Sequence, residues 1–211
     1  MKRRQRISRQ DAQFLLTFAI IATVLASSLA YAYLNPPPQE RFLASWILDS
    51  QGTAKHYYPN DNPNIRLQEE INWTLGVYNH MGSLQYVMIR VKLLNSTIAG
   101  PNDTLGEPSP SPEILEFAQV LANNQTWSIP FDWEISNYTV KSGNIIISSL
   151  SVNQALLNGQ FASSAFGQNF RFVFELWFYD HDTNSLSFSW YTSNGELTDS
   201  WTEVWFNVPA G

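Results

Sequence analysis

The sequence predicts an all-β protein: an antiparallel immunoglobulin-like β-sandwich preceded by one N-terminal transmembrane helix. Short runs of alternating apolar and polar residues recur between turn residues, which is typical of strands in a two-sheet domain. One uncharged segment near the N-terminus is long enough to cross a bilayer. Aromatic residues make up 14% of the chain, which is ample for a core that must fold without disulfides.

The N-terminal region predicts a membrane anchor. Residues 1–13 form a basic tail, and residues 14–34 carry no charge and as a helix would span roughly 31 Å. The basic tail predicts a cytoplasmic N-terminus and an extracytoplasmic C-terminal domain at the cell membrane. A cleaved signal peptide is the alternative, because Ala30, Tyr31 and Ala32 have the small-x-small spacing of a cleavage site.

The rest of the chain is acidic and contains no cysteine. Residues 35–40 include three prolines and predict a stiff spacer before an extracytoplasmic domain at 41–211. From Asn35 onward seven Lys or Arg stand against 17 Asp or Glu, a net charge of −10, which excludes binding to nucleic acid phosphates. The absence of cysteine excludes disulfides, iron–sulfur clusters and thiol nucleophiles, and no cofactor is predicted.

About eight strands are predicted in the outer domain. Residues 113–121 are ambiguous between a strand and a short helix. Residues 99–113 contain four prolines and predict a long exposed loop. Residues 136–168 are poorly patterned and are predicted as an insertion, whose small-residue part is loop or short helix. The predicted strands are 41–49, 71–79, 84–95, 126–135, 144–152, 170–180, 186–192 and 201–208.

The stretch "INWTLGVYNHMGSLQYVMIRVKLLN", residues 71–95, predicts a β-hairpin. Two alternating runs flank a turn at residues 80–83, in which Asn and Gly supply the unusual backbone conformations. His80 is therefore expected to bond a backbone group in that turn. No nucleophile motif accompanies it, so no catalytic residue is predicted.

The order of motifs resembles a known family. "FLASWILDSQGTAKHYYP", "LQEE", the 71–91 stretch, "ANNQTW", "FRFVFELWFYD" and "WTEVWFNV" resemble, over about residues 42–207, the domain of unknown function 1616 family of predicted archaeal membrane proteins. Asn79 and His80 match its "NHE" corner, although Met81 stands where Glu is usual. Family members commonly carry several membrane helices, whereas this chain has one. The resemblance implies an immunoglobulin-like β-sandwich ectodomain at a membrane and implies no activity.

Five N-x-T triplets predict glycosylation of a translocated chain. They exceed the roughly one triplet that the composition yields by chance. The alternative is that Asn and Thr are simply common in exposed β-proteins. The acceptor residues are Asn72, Asn95, Asn102, Asn124 and Asn137.

Metal binding has one candidate position. Asp180, Asp182 and Asn184 alternate as at the start of a calcium loop. Ser185 and Tyr191 stand where such a loop needs Gly and Glu, so a polar turn is the alternative. The histidines lack the spacing of a zinc site, and no other metal site is predicted; they are His56, His80 and His181.

Four aromatic residues form a candidate ligand patch. They lie opposite the apolar faces of strands 170–180 and 201–208, so adjacent strands would present an exposed aromatic stripe. Such a stripe can stack on sugars or contact a protein. The alternative is that the insertion at 136–168 covers it. The four residues are Trp177, Tyr179, Trp201 and Trp205.

The sequence favours a single-pass, non-catalytic interaction or structural module of the cell envelope or a membrane complex, with other envelope or membrane proteins as partners. The alternative is a carbohydrate-binding envelope module that uses the aromatic stripe. A third hypothesis is a hydrolase with paired carboxylates such as Glu134 and Glu175, although no spacing selects these two residues.

Overall fold

The computed structural model describes residues 9–35 and 40–209, of which the side chain of Asp11 is not described. The chain divides into two compact units, Met1–Gln39 and Glu40–Gly211. Most of the predicted basic tail, most of the proline-rich spacer and the last two residues lie outside the described residues.

The first unit contains one helix, α1 (Arg9–Leu34). Its segment Ala12–Leu34 has a mean hydropathy of 2.0 and is long and apolar enough to cross a membrane, as either an anchor or a signal sequence. The hydroxyls of Thr17, Thr23 and Ser28 donate to carbonyls four residues earlier at 2.8–3.0 Å. These three hydroxyls are thus satisfied within the helix, as a hydrocarbon environment requires.

The second unit is built of antiparallel strands. One five-stranded sheet, sheet 1, has the order β1-β2-β5-β6-β7, and the other, sheet 2, has the order β12-β8-β3-β4 with β9 also beside β8. Strands β10 and β11 form a separate ribbon. The strands are β1 Phe42–Leu48, β2 Ile71–His80, β3 Gln85–Asn95, β4 Leu115–Leu121, β5 Thr126–Lys141, β6 Asn144–Val152, β7 Ala155–Ala165, β8 Phe170–Asp180, β9 Ser185–Ser187, β10 Ser189–Tyr191, β11 Leu197–Asp199 and β12 Trp201–Phe206.

The two large sheets share one hydrophobic core. Trp73 and Trp133 of sheet 1 meet Phe172 of sheet 2 edge to face, with ring centroids 5.9 and 4.8 Å apart. Trp133 also lies 5.0 Å from Phe206, and the indole N–H of Trp73 donates to the carbonyl of Tyr57 at 2.7 Å. Aromatic rings in such contacts add stability beyond the area that they bury. The predicted apolar faces of β2, β3 and β8 are all confirmed as buried.

The predicted hairpin at residues 71–95 is wrong. β2 pairs with β1 and β5 in sheet 1, whereas β3 pairs with β4 and β8 in sheet 2, so the connection crosses between sheets. Alternation of apolar and polar residues indicates a strand whichever strand it pairs with. The local pattern therefore cannot identify the partner strand.

The segment predicted as an insertion is part of sheet 1. Its predicted strand at 144–152 is confirmed as β6, whereas β7, Ala155–Ala165, is a strand where a loop or short helix was expected. The ambiguous segment at 113–121 becomes the strand β4. At Pro130, β5 pairs with β2 but not yet with β6, so one side of the strand is free of pairing. A proline is tolerated in a strand at such an unpaired side.

Candidate functional site

The predicted aromatic residues do share one surface, the outer face of sheet 2. β12 pairs with β8, placing Trp201 opposite Glu175 and Trp205 opposite Arg171. Trp177 and Tyr179 continue the same face along β8, because side chains two residues apart in a strand point the same way. The sequence correctly placed these rings together. It did not identify the charged residues between them.

A buried ion pair lies in the middle of this face. The Lys92 ammonium nitrogen is 2.9 Å from Glu175 Oε2, and the two side chains are 5% and 0% exposed. Glu175 also accepts a hydrogen bond from the backbone N–H of Ser109 at 2.7 Å, and Lys92 donates to the Ser109 carbonyl at 2.6 Å. Buried charges persist only when paired and hydrogen-bonded in this way.

Residues 99–113, here called the covering loop, therefore lie across the outer face of sheet 2. The expectation that this loop is wholly exposed is wrong, because Ser109 and Ser111 are buried. The alternative that the 136–168 segment covers the aromatic stripe is also wrong, because its strands belong to sheet 1, whereas the stripe lies on β8 and β12 of sheet 2. At Gly106, with φ of +62°, an added Cβ would lie 2.7 Å from the Ser189 hydroxyl, so the loop packs tightly on the β10–β11 ribbon.

The indole N–H groups of the stripe are already bonded within the protein. Trp201 donates to Asp103 of the covering loop at 2.6 Å, Trp177 to Glu175 at 3.1 Å and Trp205 to Glu203 at 2.8 Å. The guanidinium groups of Arg90 and Arg171 lie 4.2 and 4.6 Å from the ring centroids of Trp177 and Trp205. Such cation–π contacts hold the rings in place.

The exposed part of the stripe is smaller than the sequence predicts. Trp177, Tyr179 and Trp201 are half-buried, while Trp205 is 39% exposed. The outer face is therefore a mixed aromatic and charged surface, and Trp205 is the ring of the stripe that offers most of its surface to a ligand.

A second carboxylate, Asp199 of β11, lies near Asp103 of the covering loop. Burial, and then the nearby charge of Asp103, raise the pKa of Asp199 to about 6. Among the described residues its Oδ2 atom is buried without a hydrogen-bond partner. Asp199 therefore holds a proton in the folded protein at mildly acidic pH, where an ordinary aspartate has lost it.

We expect Asp199→Asn to stabilise the protein near pH 7 and to leave its stability unchanged near pH 3.5. In the unfolded chain Asp199 loses its proton above the ordinary pKa of 3.8, whereas in the folded chain it keeps the proton up to about pH 6. The free energy of unfolding therefore falls as pH rises from 3.8 to about 6. Thermal unfolding at both pH values measures the difference. Asp182→Asn, an exposed carboxylate, is the control, and equal melting temperatures for Asp199→Asn and wild type at both pH values would contradict the assignment.

A cleft that the sequence did not identify as a site lies beside β2. It has a volume of about 560 Å³, within the range of small-ligand pockets. On its rim His56 Nδ1 lies 2.6 Å from Asp61 Oδ1, and this hydrogen bond raises the pKa of His56. His56, Asn60 and Asp61 all have positive φ. In the sequence, the many Asn, Asp and Pro residues at 52–64 predict a loop but do not indicate a cleft. Other lining residues are Gln51, Tyr57, Tyr58, Pro59, Glu70 and Asn72.

The chemistry of the cleft is that of a polar pocket. The hydroxyl of Tyr58 donates to the carbonyl of Trp205 at 2.6 Å, and that of Tyr57 donates to the carbonyl of Ile47 at 3.3 Å. The tyrosine hydroxyls therefore hold the loop against the strands. Amide, carboxylate and imidazole groups remain to line the opening.

The five predicted glycosylation sites differ in their surroundings. Asn95 is half-buried, and its amide nitrogen donates to the carbonyl of Ser163 while its oxygen accepts from Thr97. Asn124 is exposed, but its oxygen accepts from His80 at 2.6 Å. The other three acceptors have exposed side chains: Asn72, Asn102 and Asn137. A glycan on the amide nitrogen of Asn95 would compete with its bond to the Ser163 carbonyl.

His80 lies at the end of β2 rather than within a turn. Its Nδ1 atom bonds the side-chain oxygen of Asn124 at 2.6 Å, so the expected bond to a backbone group is wrong. Its ring also packs 5.0 Å from Phe42 and 5.9 Å from Tyr78.

The candidate calcium residues form a hydrogen-bonded turn. Asp180 accepts from the backbone N–H of Asp182 and from the hydroxyl of Thr183, both at 2.9 Å, and the former bond lowers its pKa. Asn184 has a positive φ of 52°. Within residues 9–35 and 40–209, no group of three or more His, Asp or Glu side chains is arranged to hold a metal ion.

The candidate carboxylate pair is not brought together. Glu134 lies on β5 between the buried residues Trp133 and Ile135, and Glu175 lies on β8 between Phe174 and Leu176. Each therefore points away from the core, from a different sheet. Glu175 is already paired with Lys92.

Comparisons with known proteins add little to this geometry. No family model matches the chain, and no curated protein matches it at a significant level. The chain is similar to the CARDB domain of a Pyrococcus furiosus protein in complex with di-metal ions, with a TM-score of 0.33, 9% identity, and coverage of 80% of this chain and 90% of that one.

Two enzyme structures show similar scores. A β-glucosidase from Listeria innocua in complex with glucose has a TM-score of 0.33, 9% identity, and coverage of 81% of this chain and 17% of the enzyme. An alkylpurine DNA glycosylase from Pseudomonas fluorescens bound to DNA containing an abasic site analog has a TM-score of 0.32, 12% identity, and coverage of 82% and 30%. This chain thus spans less than a third of either enzyme, and these likenesses carry no statement about function.

Proposed function

We propose that this chain is a single-pass membrane protein whose extracytoplasmic domain is a non-catalytic interaction or structural module of the cell envelope or of a membrane complex. The observation that carries the proposal is a chain divided between one apolar helix and one β-domain with its own core. The resemblance to the domain of unknown function 1616 family favours the same architecture, an immunoglobulin-like β-sandwich at a membrane.

The charge pattern supports the orientation. Residues 1–13 contain five Lys or Arg, whereas residues 35–54 on the other side of the helix contain one, which favours an N-terminus in the cytoplasm. The exposed N-x-T acceptors fit a domain that is translocated. The non-catalytic role is supported by His80 and Glu175, which are engaged in hydrogen bonds and an ion pair of the fold.

The sidedness of the domain can be tested directly, because the chain has no cysteine. We expect Asn102→Cys to react with a membrane-impermeant maleimide in intact cells, since Asn102 is exposed. Gln5→Cys, in the basic tail, should react only after permeabilisation. Intact-mass measurement should find residues 1–34 retained. Labelling of Asn102→Cys only after permeabilisation would overturn the orientation, and a chain that begins near Tyr33 would overturn the anchor.

Carbohydrate binding is the second candidate function. The exposed ring of Trp205 favours it, because an aromatic face can stack on a sugar ring. Titration of the full-length protein with envelope glycans should then change its tryptophan fluorescence, and Trp205→Ala should abolish the change. An unchanged signal from wild type would argue against this function.

A further inference from the structure

Strand β7 is an edge of sheet 1 that lacks the usual protection. It pairs with β6 on one side and is the last strand of the sheet. Its first six residues, 155–160, are exposed except for half-buried Leu157, and Leu156 is 61% exposed. The backbone groups on the open side of such a strand are a template for another strand.

Three other strand edges of the domain, those of β1, β12 and β4, are covered or charged. The backbone N–H of Ser45 in β1 donates to the hydroxyl of Ser200, next to β12. At the end of β12, residues 63–65 exchange backbone hydrogen bonds with Asn207. In β4, Glu116 is paired with Arg90 at 2.8 Å and places charges on that edge. Each is a known means of blocking edge-to-edge association.

β7 has neither charge nor proline. The whole stretch from Ser142 to Phe170 contains no charged residue, although the chain from Asn35 onward has a net charge of −10. A second copy of an acidic protein is repelled by most of the surface, but β7 brings no like charges together. This segment is therefore suited to contact with another copy of itself.

The side chains of β7 also suit continuation of the sheet. Leu157 and Phe161 face inward and pack against the core. Leu156, Asn158 and Gln160 alternate with them and point outward. Near the other end of the strand, Asn95 of β3 donates to the carbonyl of Ser163, so the open part of the edge is confined to residues 155–160.

We propose that two copies of this chain associate by antiparallel pairing of residues 155–160 of β7, around a two-fold axis, so that their five-stranded sheets become continuous. A strand paired with its own copy forms a self-complementary contact, as a closed dimer requires. Residues 155–158 need no change of conformation, because they already form an extended strand in regular register with β6; the register shifts between Asn158 and Ala162. Six residues make a small interface, so the pairing depends on the high local concentration of chains held in one membrane.

Disulfide crosslinking of full-length chains in membranes tests this dimer. Single variants Leu156→Cys, Asn158→Cys and Gln160→Cys probe β7, and Val120→Cys on the edge of β4, where Val120 is 48% exposed, is the control. In antiparallel pairing about a two-fold axis, moving the cysteine by two residues changes the distance to its copy by about 13 Å. We expect a peaked profile along β7, with about tenfold more dimer at the best position or pair of positions than at Val120, because disulfides need close Cβ atoms.

A charge placed on the edge should abolish the crosslink. Leu156→Lys, combined with Asn158→Cys or Gln160→Cys, whichever crosslinks better, places on this edge the charged side chain that natural edge strands use against pairing. Val120→Lys in the same background should have no effect. A flat profile, crosslinking at Val120 equal to that of β7, or a dimer that survives Leu156→Lys would each overturn the proposal. The dimer rests on the proposed membrane anchor for its local concentration. The crosslink itself does not depend on which side of the membrane the domain occupies, and the intact-mass measurement reports loss of the anchor separately, so the two failures are distinguishable.

Discussion

Lys92→Met lowers the free energy of unfolding by about 3–5 kcal/mol, the largest effect that we expect from a polar substitution in sheet 2. The substitution leaves the Glu175 carboxylate buried without its cation, although Ser109 and Trp177 still donate to it. Chemical unfolding of the full-length protein in detergent, followed by tryptophan fluorescence, measures the loss. The covering loop should loosen as well, because Lys92 also holds the Ser109 carbonyl.

Two control variants separate the buried pair from surface electrostatics. Glu116→Gln breaks the more exposed Arg90–Glu116 pair on the same sheet and should cost less than about 1 kcal/mol. The double variant Lys92→Met, Glu175→Met removes both charges and should recover most of the stability, because replacing a whole buried pair is often neutral. If Lys92→Met unfolds at the same denaturant concentration as Glu116→Gln, the buried pair does not hold the loop.

Asn79→Asp should destabilise the protein by several kcal/mol at neutral pH, more than Asn79→Ala, for which we expect about 1–3 kcal/mol. The Asn79 side chain is fully buried. Its amide nitrogen lies 2.9–3.2 Å from the carbonyls of Ser83, Leu121 and Ala122, and its oxygen accepts from the N–H of Met81. A carboxylate would set a buried negative charge against these carbonyls.

The pH dependence of Asn79→Asp checks this account. Burial raises the pKa of the introduced carboxyl, so the deficit relative to wild type should shrink as pH falls and the group takes up a proton. Asn123→Asp is the matched control: Asn123 lies in the same corner, is exposed, and uses its oxygen to accept from the N–H of Gly82. Equal stability of the two Asp variants at neutral pH would show that Asn79 does not hold the corner.

The same corner illustrates why the sequence misidentified a hairpin. The alternating residues of 71–79 and 84–95 predict two strands, and both exist. At the end of β2, Asn79 instead bonds the carbonyls of Leu121 and Ala122, residues more than 40 positions away. A local pattern contains no information about such partners.

The candidate site also has a part that the sequence predicts and a part that it does not. Alternation within β8 and β12 was enough to place the four predicted aromatic residues on one face, because the period of a strand is two. The covering loop was not predictable, since proline-rich composition indicates a loop but not what it lies against. The Lys92–Glu175 pair that fixes it joins residues 83 positions apart.

The sequence by itself determined the apolar helix, the positions of most strands and the buried face of each, because hydrophobic period and length are local properties of the chain. Only the tertiary structure decided which strands share a sheet, which loop covers the aromatic face and which edge stays open at β7. These depend on contacts between residues distant in the chain, where the desolvation of a few polar groups such as Asn79, Lys92 and Glu175 determines which arrangement is stable.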